Sequence, residues 1–132
     1  MSVARALELE VPRPLALIVD DSPFLTAHLS CLLLSLGLEA RVPGDAEELR
    51  LLAAKAAVIF VELELFQACG FEVTRELAAQ HTCPLVLLTG SGRKTDLQWG
   101  LRAGASAVLP RPLTATMLHT ALERLGCAGC TR

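Results

Sequence analysis

Tyrosine is absent from this chain of 132 residues, and tryptophan occurs once. Aromatics make up only 4% of it, too few for the stacking surfaces on which proteins hold single-stranded nucleic acid. No basic run occurs either, and 12 Lys and Arg against 14 Asp and Glu leave a net charge of −2. No nucleic-acid partner is therefore expected. Long hydrophobic runs are missing too. Uncharged apolar stretches such as Ala56–Val61 fall far below the ~18 residues that cross a bilayer. Residues 1–14 carry Arg5, Glu8, Glu10 and Arg13 and hold no signal-peptide core. Cysteine is irregular: Cys31, Cys69, Cys83, Cys127 and Cys130 form an odd set unlike a secreted disulfide framework. The expectation is a cytoplasmic, reduced protein with no membrane partner.

What is present is core material. A hydrophobic share of 52% with 20% charged residues excludes intrinsic disorder, and the length suits one domain. The chain divides into a polar leader over 1–14, a folded domain over 15–125 and a tail over 126–132. Within the domain two kinds of segment alternate. Apolar runs at Leu15–Val19, Leu38–Val42, Ala57–Val61, Pro84–Leu88 and Ala105–Leu109 read as strands. Between and after them, helices are expected at Phe24–Leu36, Ala46–Ala54, Phe71–Gln80, Lys94–Ala103 and from Thr114 to Leu125. Ser22-Pro23 offers an N-cap and an N1 proline, and Gly37 a stop. Strands apolar throughout indicate burial on both faces. The fold class is α/β: a five-stranded parallel sheet with helices on both faces, doubly wound.

In such sheets the working crevice lies beyond the carboxyl ends of the strands. There the sequence places Asp20, Asp21, Glu62 and Thr89, with Arg111 after the last strand. Three acids, a hydroxyl and a cation should converge.

This constellation resembles the receiver domain of two-component response regulators, with the flavodoxin-like fold of the chemotaxis regulator. The resemblance covers Leu15 to Leu125. It rests on Ile18-Val19-Asp20-Asp21-Ser22, Gly70-Phe71-Glu72-Val73, Leu87-Leu88-Thr89-Gly90, Ala103-Gly104-Ala105 and Arg111-Pro112. In that family an acidic pair holds Mg²⁺, and an aspartate ending the third strand accepts a phosphoryl group from a histidine kinase. A hydroxyl and a lysine contact the phosphoryl oxygens. The resemblance therefore implies metal-binding positions at Asp20 and Asp21, and phosphoryl-contact positions at Thr89 and Arg111. It puts the phosphoacceptor position, eight residues before Gly70, at Glu62.

Three departures follow. Glutamate replaces the acceptor aspartate, Arg111 replaces the lysine, and Val108 stands at the aromatic switch position. The loop Glu64–Cys69 also lacks the family's proline and its acid beside the glycine. Glu62 carries its carboxylate roughly 1.5 Å further out, the length of one C–C bond. Arg111 is permanently charged and can grip carboxylates through two donors. A Glu62–Arg111 pair would then either mimic the bonded state of a phosphorylated receiver or mark a degenerate site. The implied function is an atypical stand-alone receiver, a non-enzymatic interaction module working without aspartyl phosphorylation. Its partner would be a signalling protein, such as a histidine kinase or an output protein, or a second copy. No cofactor should bind tightly and Mg²⁺ only weakly, because Arg111 and the longer acid compete for the metal's position. Leu97, Trp99 and Leu101 on the fourth helix are the expected partner face.

Two rivals remain open. One is a regulator phosphorylated on another pocket acid. The other is a small flavodoxin-like hydrolase, for which no nucleophile–base pair falls at a strand end. Cys127-x-x-Cys130 is half a zinc site at most, with His28, His81 and His119 scattered; a tail with two thiols suffices. Cys31 and Cys83 read as small core residues, and Glu64 as a solvated loop charge.

Overall fold

A computed structural model describes residues 13–127. Most of the expected leader, the end of the tail and Cys130 lie outside the described residues. The chain runs β1 (Leu15–Val19), α1 (Pro23–Ser35), β2 (Glu39–Arg41), α2 (Ala46–Ala53), β3 (Val58–Glu62), α3 (Gly70–Gln80), β4 (Leu85–Thr89), α4 (Lys94–Ala103), β5 (Ala107–Pro110) and α5 (Ala115–Arg124). The strands form one parallel sheet in the order β2-β1-β3-β4-β5. This is the doubly wound architecture the alternating pattern implies.

Every residue of β3 and β4 is buried, so these strands lie at the centre between two apolar layers. Alternate side chains serve opposite layers. Ile18, Phe60 and Leu88 meet Leu29 and Leu33 of α1 and Leu118 and Leu122 of α5. On the other side Leu17, Ile59, Val61 and Leu87 meet Ala53 of α2 and Leu77 of α3. Helix starts follow local chemistry. Ser22 Oγ accepts from Leu25 N at 3.3 Å, Asp45 Oδ1 from Glu48 N at 2.8 Å and Thr114 Oγ1 from Met117 N at 3.1 Å. Glu48 reciprocates, accepting from Gly44 N at 2.6 Å.

Four expectations need correction. The second strand is shorter than Leu38–Val42: Leu38 turns into the core, while Val42 is exposed beyond the last pairing, Leu17 with Arg41. The fifth strand starts at Ala107, not Ala105, because Gly104 (φ +115°) reverses the chain and Ala105 N bonds back to Gly100 O at 3.0 Å. Cys31 is exposed rather than core, since it lies two residues from both Leu29 and Leu33 and so faces away from them. Cys127 does not fray. Gly126 (φ +71°) turns the chain, Cys127 N bonds Leu122 O at 3.1 Å, and the thiol reaches Ala57 O at 3.8 Å in the core. Cys83 is half-buried, which pushes its thiol pKa up.

Gly70 fixes the end of β3 against α3. A Cβ there would stand 2.4 Å from the Glu62 carbonyl oxygen and 2.5 Å from Leu63 Cα, both backbone atoms that cannot yield. Gly70→Ala should therefore cost about 3 kcal/mol, read as a lower urea midpoint. An unchanged midpoint would show that the β3–α3 junction has slack the packing does not suggest.

Candidate functional site

The carboxyl edge of the sheet gathers the acids and the arginine. Asp20 and Asp21 follow β1, Glu62 ends β3, and Arg111 follows β5, where Arg111 N bonds Thr89 O at 2.8 Å. Glu62 is only 5% exposed. Arg111 spans the gap between strands: Nη1 donates to Glu62 Oε1, and Nη2 to Asp20 Oδ2 at 3.2 Å. One guanidinium thus bridges two buried carboxylates. Its planar fork suits this, whereas a single ammonium could not hold both in fixed directions.

Backbone amides take up the remaining oxygens. Asp20 Oδ1 accepts from Ser22 N at 3.0 Å, Glu62 Oε2 from Glu64 N at 3.2 Å, and Asp21 Oδ2 from Phe66 N. Burial pushes the Glu62 pKa above the usual carboxylate range, and the nearby Asp20 charge adds to the rise. The Glu64 amide and Arg111 offset part of it.

Magnesium prefers octahedral oxygen ligands and dehydrates reluctantly. Here a guanidinium occupies the space between Asp20 and Glu62, and the exposed Asp21 is turned to the Phe66 amide. Among the described residues no group of three or more His, Cys, Asp and Glu is placed to hold a metal ion. As arranged, these residues do not fit magnesium.

Thr89 ends β4 at the same edge, but its hydroxyl is taken up by the following loop. Its hydroxyl donates to Asp96 Oδ2 at 2.9 Å and accepts from Ser91 N at 3.1 Å. Ser91 Oγ donates to the same Asp96 oxygen. These hydrogen bonds hold the Asp96 carboxyl below its usual range. The threonine therefore belongs to a polar knot in the β4–α4 loop, and the sequence reading missed Asp96. The available signal was the spacing Thr89, Ser91, Asp96 across a loop into the first turn of a helix.

Val108 packs on α4: a Cβ at Gly100 would lie 2.7 Å from its Cγ2. With Leu97, Leu101 and Met117 it lines a groove of 590 Å³ between α4 and α5. Trp99 is 54% exposed but lies outside that groove, under the Arg102 guanidinium at 5.7 Å from the ring centroid. The expected face is thus split: Leu97 and Leu101 share a groove, and Trp99 stands beside it. Glu64 is exposed. Among the described residues no helix is long and apolar enough to cross a membrane.

Comparison with known proteins places this geometry. The transcriptional regulatory protein CpxR of Klebsiella pneumoniae is 33% identical over 97 residues, which is 73% of this chain and 42% of that protein. The DNA-binding response regulator MtrA of Mycolicibacterium smegmatis is 30% identical over 79% of this chain and 46% of that protein. The chain spans less than half the length of these curated relatives. Among solved structures, the chemotaxis protein CheY4 of Vibrio cholerae superposes with a TM-score of 0.75 at 26% identity, covering 86% of this chain and 98% of that one. A Burkholderia pseudomallei response regulator with a phosphorylated aspartic acid and a calcium ion shares the fold. Its TM-score is 0.72 at 23% identity, over 83% of this chain and 66% of that one. The family model for the response regulator receiver domain matches residues 16–123, from the first strand to the last helix, and the chain belongs to that family.

Proposed function

We propose that this receiver domain is a cytoplasmic, non-enzymatic interaction module of a two-component pathway that works without aspartyl phosphorylation. The observation that carries the reading is the Arg111 fork across Glu62 and Asp20. Glu62 stands at the phosphoacceptor position with a carboxylate about one C–C bond too long. Arg111 neutralises it where a phosphoryl group would otherwise attract a cation. The pair gives the site a fixed charge arrangement with no transfer step. Receivers signal through protein contacts, so the partner is a histidine kinase or an output protein. The groove lined by Leu97, Val108 and Leu101 is the surface it meets. Val108 offers no ring to flip, which leaves that surface in one state.

Mimicry requires the Glu62 charge to hold this shape. Glu62→Gln keeps the size and removes the charge, so it should weaken capture of the cognate partner; equal capture would make Glu62 a relic. Magnesium gives an independent check on the arrangement. Titration calorimetry should show no site tighter than about a millimolar for the wild type. A micromolar constant would mean that Arg111 yields its place to the metal, and the reading would fail.

A further inference from the structure

Val42 is left exposed where the pairing of β2 has already ended at Arg41. Its side chain lines a cavity of 270 Å³ at the carboxyl end of β1. Val19 of β1, Leu49 of α2, and Leu65 and Ala68 of the β3–α3 loop complete the apolar walls. The chain leaves β1 through α1 to reach β2 on one flank, and passes through α2 to β3 on the other. Connections therefore diverge on either side of this strand, and open α/β sheets hold ligands at such a point.

The charge around the cavity has one sign. Asp20, Asp21 and Asp45 border it, and no Lys, Arg or His does. Asp20 is engaged by Arg111 and the Ser22 amide. Asp21 and Asp45 each give one oxygen to a backbone amide, of Phe66 and Glu48 respectively. Among the described residues their second oxygens accept no hydrogen bond, and neither carboxylate has an ion-pair partner. The start of a helix ordinarily favours an anion. At α2 that turn is already occupied by Asp45, Glu47 and Glu48, so an anionic ligand would be repelled. An apolar cavity with two unpaired carboxylates at its border is complementary to an apolar cation.

We propose that this cavity binds a small primary amine with an aliphatic body. The ammonium meets the carboxylates of Asp21 and Asp45, and the body lies against Val42, Leu49 and Leu65. The volume falls just below the ~300–1,000 Å³ of drug-sized sites, so the ligand is a smaller molecule. Magnesium is a poor occupant, because it gains nothing from apolar walls and needs oxygens that Arg111 and the Phe66 amide engage. Neither Arg111 nor Glu62 lines the cavity, so the site stands apart from the phosphorylation-independent reading.

Amide NMR of the full chain, titrated with isoamylamine, should show shifts at Val42, Leu49 and Leu65 with a Kd of about a millimolar. Isoamyl alcohol keeps the body and drops the charge, and should bind there about tenfold more weakly. Shorter straight-chain amines should lose about fourfold per methylene removed. Asp21→Asn keeps an acceptor for the Phe66 amide, and Asp45→Ser keeps the α2 cap. The double variant should hold the amine no better than the alcohol, with alcohol binding unchanged. Ala46→Leu, at an exposed position on the cavity border, should exclude both. Equal binding of amine and alcohol to the wild type, or no shifts at these walls, would overturn the proposal. Displacement of the amine by submillimolar Mg²⁺ would also overturn it, by giving the carboxylates to a metal.

Discussion

Protein incubated with acetyl phosphate and Mg²⁺ should gain no phosphoryl mass, and the Glu62→Asp/Arg111→Lys variant should gain it. Transfer to a carboxylate needs one oxygen in line with the phosphorus as acetate leaves, forming an acyl phosphate. Glu62 overshoots that position, and a displacement of about 1 Å can cost on the order of a hundredfold. Its Oε1 is also engaged by Arg111 and its Oε2 by the Glu64 amide, so neither oxygen is free to attack. Shortening the acid alone leaves the guanidinium in the way, and labelling of Glu62→Asp should be partial at best. Lysine in place of Arg111 withdraws the fork and leaves one mobile cation. Thr89 sets a further limit, because its hydroxyl is held by Asp96 and Ser91. Adding Asp96→Ala should release it and raise labelling again. Mass spectrometry locates the product. Label on Glu62, or on Asp20 or Asp21, in the wild-type protein would end the phosphorylation-independent reading.

The fold was legible in the sequence because the signals reinforce one another. Five apolar runs, each followed by a capped or glycine-bounded helix, leave few architectures other than a parallel doubly wound sheet. The edges were less legible. Val42 looks like strand, but β2 is a boundary strand paired on one side only, so pairing stops earlier than hydrophobicity does. Cys31 looks like core because α1 carries no charged residue on any side, and its apolar residues follow no clear periodicity to say which side is buried. The acids and Arg111 were placed correctly at the sheet edge, since strand ends fix them there. Thr89 was placed at the same edge, where it ends β4, but the partner of its hydroxyl was not read. A hydroxyl's partner depends on loop geometry, and the competing acceptor, Asp96, lies seven residues on in a helix the pattern assigned to the partner face.

Arg111 also makes a demand on stability. Its removal would leave Glu62 and Asp20, both nearly buried, as two like charges without a cation, and breaking a buried pair this way costs about 3–5 kcal/mol. Arg111→Met should therefore lower the unfolding free energy at neutral pH by about 3 kcal/mol, the low end because the guanidinium is partly exposed. The loss should shrink in acid. Glu62 already has a raised pKa, so the folded chain binds this proton more tightly than the unfolded one, whose value lies near 4.5. The stabilisation from that proton is full below 4.5 and is lost as pH rises through the folded value. Without the guanidinium the folded value rises further, and the window of recovery widens upward. Asp96 acts in the opposite sense, but its depressed pKa confines its loss to pH below about 3.8, outside this window. Urea unfolding of Arg111→Met should thus regain stability as the pH falls from neutral toward 4.5, whereas Arg111→Met/Glu62→Gln should be nearly flat and the more stable at neutral pH. An Arg111→Met variant as stable as wild type at neutral pH would mean that Glu62 and Asp20 find water or other donors. The bridge would then not hold this end of the sheet together.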